Sequence, residues 1–191
     1  MTESEFAALA LRNPVNAAIL QRLPSLGLSD AWLVSGCLFQ TVWNIRTGRD
    51  VQHGIRDYDF FYFDPDTSYA AEDAVIHHVR EAFADVTEAI EVRNQARVHL
   101  WYAEKFNAPY PPLSRARDGI DRFLMDCAQV GIGENGEVYA PKGLADLQAM
   151  IVRPNRIANF QAARYDEKTA RWKALWPELT VLPATEPDRS C

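Results

Sequence analysis

The chain has 191 residues, 48% of them apolar and 24% charged, which is enough length for one buried core and excludes disorder, collagen and a disulfide scaffold. Asp plus Glu number 26 against 20 for Lys plus Arg, a formal charge of −6. That balance excludes duplex DNA as a partner held by the overall field, but permits a nucleotide that arrives with a divalent cation. Cys37, Cys127 and Cys191 are far apart and form no C-x-x-C pair, so reduced thiols are expected rather than a disulfide or zinc framework. No basic-then-apolar leader opens the chain, and no apolar run reaches the roughly 18 residues of a membrane span. A cytoplasmic protein without a membrane partner is expected.

Thr2-x-x-Glu5 is a capping-box pattern that predicts a first helix, and Asn13-Pro14 starts a second. Ala31–Val34 predicts a buried strand, which meets Ser35-Gly36 and then a helix from Cys37 to Arg46. A polar loop follows, and Asp57–Asp64 predicts an aromatic strand. A helix is predicted from about Tyr69 to Ala84, with Val75, His78, Val79 and Phe83 inward. Ala89–Val92 predicts another strand, with Val98–Tyr102 as its hairpin partner. Ala116–Cys127 predicts a helix, and Val130–Tyr139 a hairpin about Asn135-Gly136. Gly143–Met150 and Asn159–Leu175 predict helices, and a Pro-rich tail begins at Pro177. The pattern predicts an α+β fold, a small mixed β-sheet flanked by helices with a helical C-terminal part. One domain is expected over residues 1–176, its core about 15–160, with 177–191 as the tail.

The chemistry concentrates at Asp57-Tyr58-Asp59. Residues two apart on a strand share a face, with Cα atoms about 6.5 Å apart. Two such carboxylates repel, and a pair of hard cations above them removes the repulsion. Upstream, Ser35-Gly36 before a helix lets backbone N–H groups approach a phosphate. Downstream, Glu91 between Ile90 and Val92 can stand beside the pair if its strand is the neighbour.

A strand-Gly-x-helix junction, then D-x-D, then an isolated acid on the next strand resembles the DNA polymerase β-like nucleotidyltransferase superfamily. Within it, Ser35–Asn44, Arg56–Asp64, Glu91–Trp101, Gly143–Leu147 and Arg153–Asn155 resemble a bacterial nucleotidyltransferase-like family, over roughly residues 15 to 160. The resemblance implies transfer of a nucleoside monophosphate from an NTP, with ATP as the expected donor, to an unidentified acceptor, releasing pyrophosphate. It implies two Mg2+ ions, or Mn2+, on Asp57, Asp59 and Glu91, with Glu91 also as the base. It places the triphosphate on Ser35, Gly36 and Cys37. Arg97 and Lys142 are the candidate phosphate cations. Two departures, Cys37 in place of the family's Gly or Ser and a longer spacing through residues 48–56, motivate the alternative of a non-catalytic nucleotide-binding or protein-interaction module. The inserted loop is placed either to lid the site or to obstruct it.

Other motifs are weaker. Asp64-Pro-Asp66-Thr67 imitates a phosphatase nucleophile motif, but a proline break and a helix cap explain it. Asp57-x-Asp59 also imitates the metal motif of glycosyltransferases. Adjacent His77 and His78 face different directions on a helix and cannot share a metal. Arg164, Lys168 and Arg171 predict a solvated helix face, and the negative net charge gives an RNA acceptor no support.

Overall fold

The computed structural model describes residues 1–185. In chain order the elements are α1 (Glu3–Ala10), α2 (Pro14–Arg22), β1 (Trp32–Val34), α3 (Gly36–Arg46), β2 (Tyr58–Tyr62), α4 (Tyr69–Ala82), β3 (Ile90–Asn94), α5 (Val98–Phe106), α6 (Arg117–Ile120), β4 (Gly131–Gly133), β5 (Val138–Tyr139), α7 (Ala145–Gln148), β6 (Ile151–Val152), α8 (Ala162–Leu175) and β7 (Thr180–Val181). The main sheet has the order β3-β2-β1-β4-β5. β2 is parallel to β3, and the other pairings are antiparallel, so the sheet is mixed as expected. Thr2 and Glu5 close the capping box of α1, and Asn13 caps α2 ahead of Pro14, both as their sequence patterns require.

The core lies on the face of the sheet that carries Leu33, Tyr58, Phe60 and Val92. There α3 is almost wholly enclosed, with Cys37 through Asn44 all buried. Its N-terminal end is fixed by a polar network. Asn13 Nδ2 donates to Thr41 Oγ1 and to the Tyr58 hydroxyl, each at 3.1 Å, and Asn16 Nδ2 donates to the Cys37 carbonyl at 3.0 Å. Buried polar groups that find partners in this way fix one relative placement of α2, α3 and β2.

Several expectations need correction. Val98–Tyr102 is not a strand but the first half of α5. The Asn94 side chain accepts from the amides of Asp64 and Ala96 and turns the chain away from the sheet. Val98, Trp101, Tyr102 and Phe106 then follow the helical i, i+3, i+4 spacing. The predicted helix over Ala116–Cys127 stops at Ile120. The carbonyls that would extend it are taken from elsewhere, those of Asp121 and Phe123 by Asn155 Nδ2 and that of Arg122 by Asn159 Nδ2. Finally, the segment after Pro177 is part of the fold as far as it is described. Leu179 is buried, and β7 pairs in parallel with β6. The rest of the expected tail, with Cys191, lies outside the described residues. His78, expected inward, is exposed on α4 beside Val79, which is the residue that is buried.

The loop at 48–56 is neither lid nor obstruction. Asn44 Nδ2 donates to the carbonyls of Val51 and His53, and Asn44 Oδ1 accepts from Trp176 Nε1 at 2.7 Å. At Gly54 (φ 72°) an added Cβ would stand 2.9 Å from the Trp176 ring, so the loop lies flat on the end of α8 only as glycine. Arg49 pairs with Glu178 at 2.9 Å and closes the far end.

Candidate active site

Strand alternation builds the site. Tyr58, Phe60 and Tyr62 point into the core, so Asp57, Asp59 and Phe61 take the other face. The parallel register sets Glu91 opposite Asp59 and Arg93 opposite Phe61. Directly opposed residues of paired strands project to the same side, so the three predicted acids share one face. On the other flank of β2 the antiparallel register sets Val34 opposite Asp59, so the chain leaves β1 at Ser35 beside the start of β2.

The turn there is strained at an unexpected residue. Gly36 begins α3 with ordinary dihedrals, and Ser35 carries the special conformation, φ 58° and ψ −118°. L-residues rarely adopt a positive φ, and such positions cost about 1–3 kcal/mol. The Ser35 amide donates to the Val130 carbonyl at 2.9 Å, which anchors the turn to the residue before β4. The amides of Gly36 and Cys37 donate to no acceptor among the described residues. They stand at the N-terminus of an 11-residue helix, where the helix dipole favours an anion. A Cβ on Gly36 would meet nothing nearer than Gln40 at 3.6 Å, so packing does not demand the glycine. The Cys37 thiol turns inward toward the Val34 carbonyl at 3.6 Å, and burial pushes its pKa well up. Only the backbone of this residue faces the turn, so thiol in place of hydroxyl removes no contact there.

Asp57 and Asp59 have no ion pair among the described residues. Burial, then the charges of Asp57 and Glu91, push Asp59 up to about 7. Burial and the charge of Glu91 raise Asp57 as well. Lys168 from α8 opposes both shifts, with Arg171 of the same helix at Asp57 and Arg93 at Asp59, none of them in ion-pair contact with these carboxylates. Lys168 is reached by solvent yet walled by protein, and burial together with Arg164 and Arg171 lowers its own pKa. Glu91 accepts from Arg93 Nη2 at 3.0 Å, both groups about half exposed. Among the described residues no three His, Cys, Asp or Glu side chains stand close enough together to hold a metal ion by themselves. Two unpaired carboxylates nevertheless match Mg2+, which takes one or two carboxylates and completes its shell with water and substrate phosphate.

Ser35, Gly36, Cys37, Asp57, Asp59 and Glu91 are thus brought together. Arg97 and Lys142 are not. Arg97 pairs with Glu72 at 2.9 Å and donates to the Thr67 carbonyl, which ties the end of β3 to α4. Lys142 acts on Asp126. The cations that do face the acids, Lys168 and Arg171, belong to the helix face expected to be solvated. Glu167 stands four residues before Arg171, the spacing of an ordinary solvated helix pair, so the sequence held no signal that this face meets the acids.

The described residues contain no helix long and apolar enough to cross a membrane. No curated protein sequence matches this chain. A solved NMR structure described as revealing a CCA-adding enzyme head domain is similar over 94% of this chain and 95% of its own, with 26% identity and a TM-score of 0.73. The crystal structure of the Bacillus stearothermophilus CCA-adding enzyme in complex with CTP aligns over 93% of this chain and 42% of its own, at 17% identity and a TM-score of 0.48. The sequence profile of a family described as Nucleotidyltransferase matches residues 21–181, and the chain belongs to that family.

Proposed function

We propose that the chain transfers a nucleoside monophosphate from an NTP to a hydroxyl-bearing acceptor in a Mg2+-dependent reaction that releases pyrophosphate. The observation that carries this is the meeting of two unpaired carboxylates, Asp57 and Asp59, with two undonated amides, those of Gly36 and Cys37, at the mouth of one turn. The amides and the α3 dipole hold the β- and γ-phosphates. Asp57 and Asp59 are the residues that would hold the metal, and when bound it neutralises phosphate charge and polarises the α-phosphorus. Arg171 adds positive charge on the Asp57 side, toward the same phosphates, and Lys168 on the Asp59 side. Glu91, level with Asp59 and oriented by Arg93, is placed to accept the acceptor's proton. The likeness to a CCA-adding enzyme head domain supports a nucleoside triphosphate as donor. ATP is the first to test.

The test is calorimetric titration of Mg-ATP into the Asp57→Asn/Asp59→Asn double variant. Loss of binding by at least about a hundredfold, with the circular dichroism of the fold retained, is the expected result. Unchanged affinity overturns the assignment of the carboxylates. A non-catalytic reading draws on the Glu91–Arg93 pair, which holds the would-be base. It predicts NTP binding without pyrophosphate release against every acceptor, and any turnover that Glu91→Gln abolishes removes it.

A further inference from the structure

Beyond Asp59 on the same face of the sheet lies a cavity of about 170 Å3, bounded by β2, β3, α5, α8 and the segment 110–124. Its charge is one-sided. Arg93, Arg122, Arg164 and Lys168 line it, and no acidic side chain does. Of these only Arg93 has a carboxylate partner among the described residues. Arg164 instead donates to the Tyr102 hydroxyl at 2.9 Å and lies 3.7 Å from the centre of the Phe106 ring. Arg122 stands 6.0 Å over the Tyr110 ring. Cations that outnumber the acids beside them repel one another, and an anion in the cavity, where no acid points, is favoured.

The walls are aromatic. Phe61, Trp101, Tyr102 and Tyr110 line the cavity, and Phe61 stacks on Phe123 with centroids 5.7 Å apart. Gly119 keeps one wall thin, since a Cβ there would fall 2.1 Å from Gln95 Oε1 and 3.2 Å from the Phe61 ring. A cavity of this size admits a single six-membered ring; one of about 150 Å3 takes up benzene. It does not admit a folded or paired nucleic acid, whose phosphates would also meet a chain of net charge −6.

Position gives the cavity its role. Along β2 the turn at Ser35–Cys37 lies level with Asp57 and the start of the strand, the cavity lies level with Phe61, and Asp59 and Glu91 stand between. In phosphoryl transfer the attacking and leaving oxygens are roughly in line. With pyrophosphate leaving toward the turn, the nucleophile comes from the opposite side, where the cavity opens beside Arg93. We propose that this cavity holds the acceptor, and that the acceptor is a small anionic compound carrying one planar ring and a free hydroxyl. The inference rests on the transfer reaction proposed above. The hydroxyl oxygen bonds to the α-phosphorus, and the bond from that phosphorus to the αβ-bridging oxygen breaks with its electron pair on pyrophosphate. The hydroxyl proton passes to the Glu91 carboxylate.

Phenyl phosphate is the probe, since it carries the ring and the anion without the hydroxyl. Its binding is followed by tryptophan fluorescence, to which Trp101 reports, and by calorimetry. Saturable binding is expected to weaken at least about fivefold in Arg122→Gln and in Lys168→Gln, the second a solvent-reached position chosen to leave the fold intact. It is expected to persist when Mg2+ and α,β-methylene-ATP are saturating. Absence of saturable binding to the wild-type chain, or affinity unchanged in both variants, overturns the proposal. Competitive displacement by the Mg-nucleotide also overturns it, and assigns the cavity to the donor's base. If phenyl phosphate binds as expected but no Mg-nucleotide binds at all, the transfer reading has failed, and the acceptor role falls with it.

Discussion

The two faces of β2 are built from alternate residues of one five-residue strand and the Asp57 that leads into it, and they serve opposite ends. On the inner face Tyr58 and Phe60 are enclosed, and the Tyr58 hydroxyl meets Asn13. On the outer face Asp57 and Asp59 carry like charges with no ion-pair partner among the described residues, and burial plus repulsion hold Asp59 up near 7. The inner face lowers the energy of the folded chain, whereas the outer face raises it. A repelling pair kept half-buried at such a cost marks a candidate site for something bound against it. The comparison separates two kinds of mutation, those that unfold the protein and those that silence it.

The largest effect is expected on the outer face. The Asp57→Asn/Asp59→Asn variant is expected to lose turnover by at least about a thousandfold, near 4 kcal/mol of transition-state stabilisation. Urea unfolding of the same metal-free variant is expected to show stability equal to or above that of the parent, because the repulsion and the desolvated charge are gone. A drop in stability alongside the lost turnover would mean that the carboxylates are structural. Phe60→Ala, one residue away but facing inward, is expected to do the reverse. It should cost about 3–5 kcal/mol in urea unfolding, while the folded fraction keeps its Mg-nucleotide affinity. If Phe60→Ala instead weakens nucleotide binding in the folded fraction, the two faces are not independent.

The outer face was legible in the sequence where its geometry is local. Asp57, Asp59 and Phe61 follow from strand alternation, and Ser35-Gly36 from the junction of a strand with a helix. Glu91 needed one further assumption, that its strand is the neighbour, and the parallel register satisfies it. What escaped is what long range supplies. Lys168 and Arg171 arrive from α8, more than a hundred residues downstream of Asp57, and a basic helix face looks the same whether it meets water or a cleft. The helix expected over 116–127 ends early because Asn155 and Asn159 take its carbonyls, and a window scan along the chain has no access to that competition. α5 was misread for a local reason, since Val, Trp and Tyr favour strands by type even where their spacing is helical. Arg97 was misplaced because its partner, Glu72, lies on α4, 25 residues earlier in the chain.

A prediction of intermediate size concerns the loop at 48–56. Asn44 serves Val51, His53 and Trp176 at once, and its truncation takes the partner from the buried Trp176 indole N–H and the half-buried His53 carbonyl and leaves the Val51 carbonyl only the longer bond from Thr41 Oγ1. Asn44→Ala is expected to cost about 2–3 kcal/mol in urea unfolding. Limited proteolysis is expected to cut within 48–56 in the variant and not in the parent. If the loop were a lid over the site, the same variant would change nucleotide affinity more than stability.

The smallest effect is the one that best separates strain from function. Ser35 sits at φ 58°, which glycine adopts without penalty. Ser35→Gly removes local strain of about 1–3 kcal/mol. It also adds about 0.5–1 kcal/mol of chain entropy to be lost on folding, so a net gain near 1 kcal/mol is expected. Were the strain only an accident of packing, the variant would be more stable and otherwise unchanged. The strained turn, however, is what aims the Gly36 and Cys37 amides, and a glycine there samples other dihedrals before a ligand arrives. Mg-nucleotide affinity is therefore expected to fall a few-fold as stability rises, measured by calorimetry and urea unfolding on one preparation. The opposed signs are the point of the measurement, because a residue that mattered only to the fold would raise stability and leave the affinity where it was.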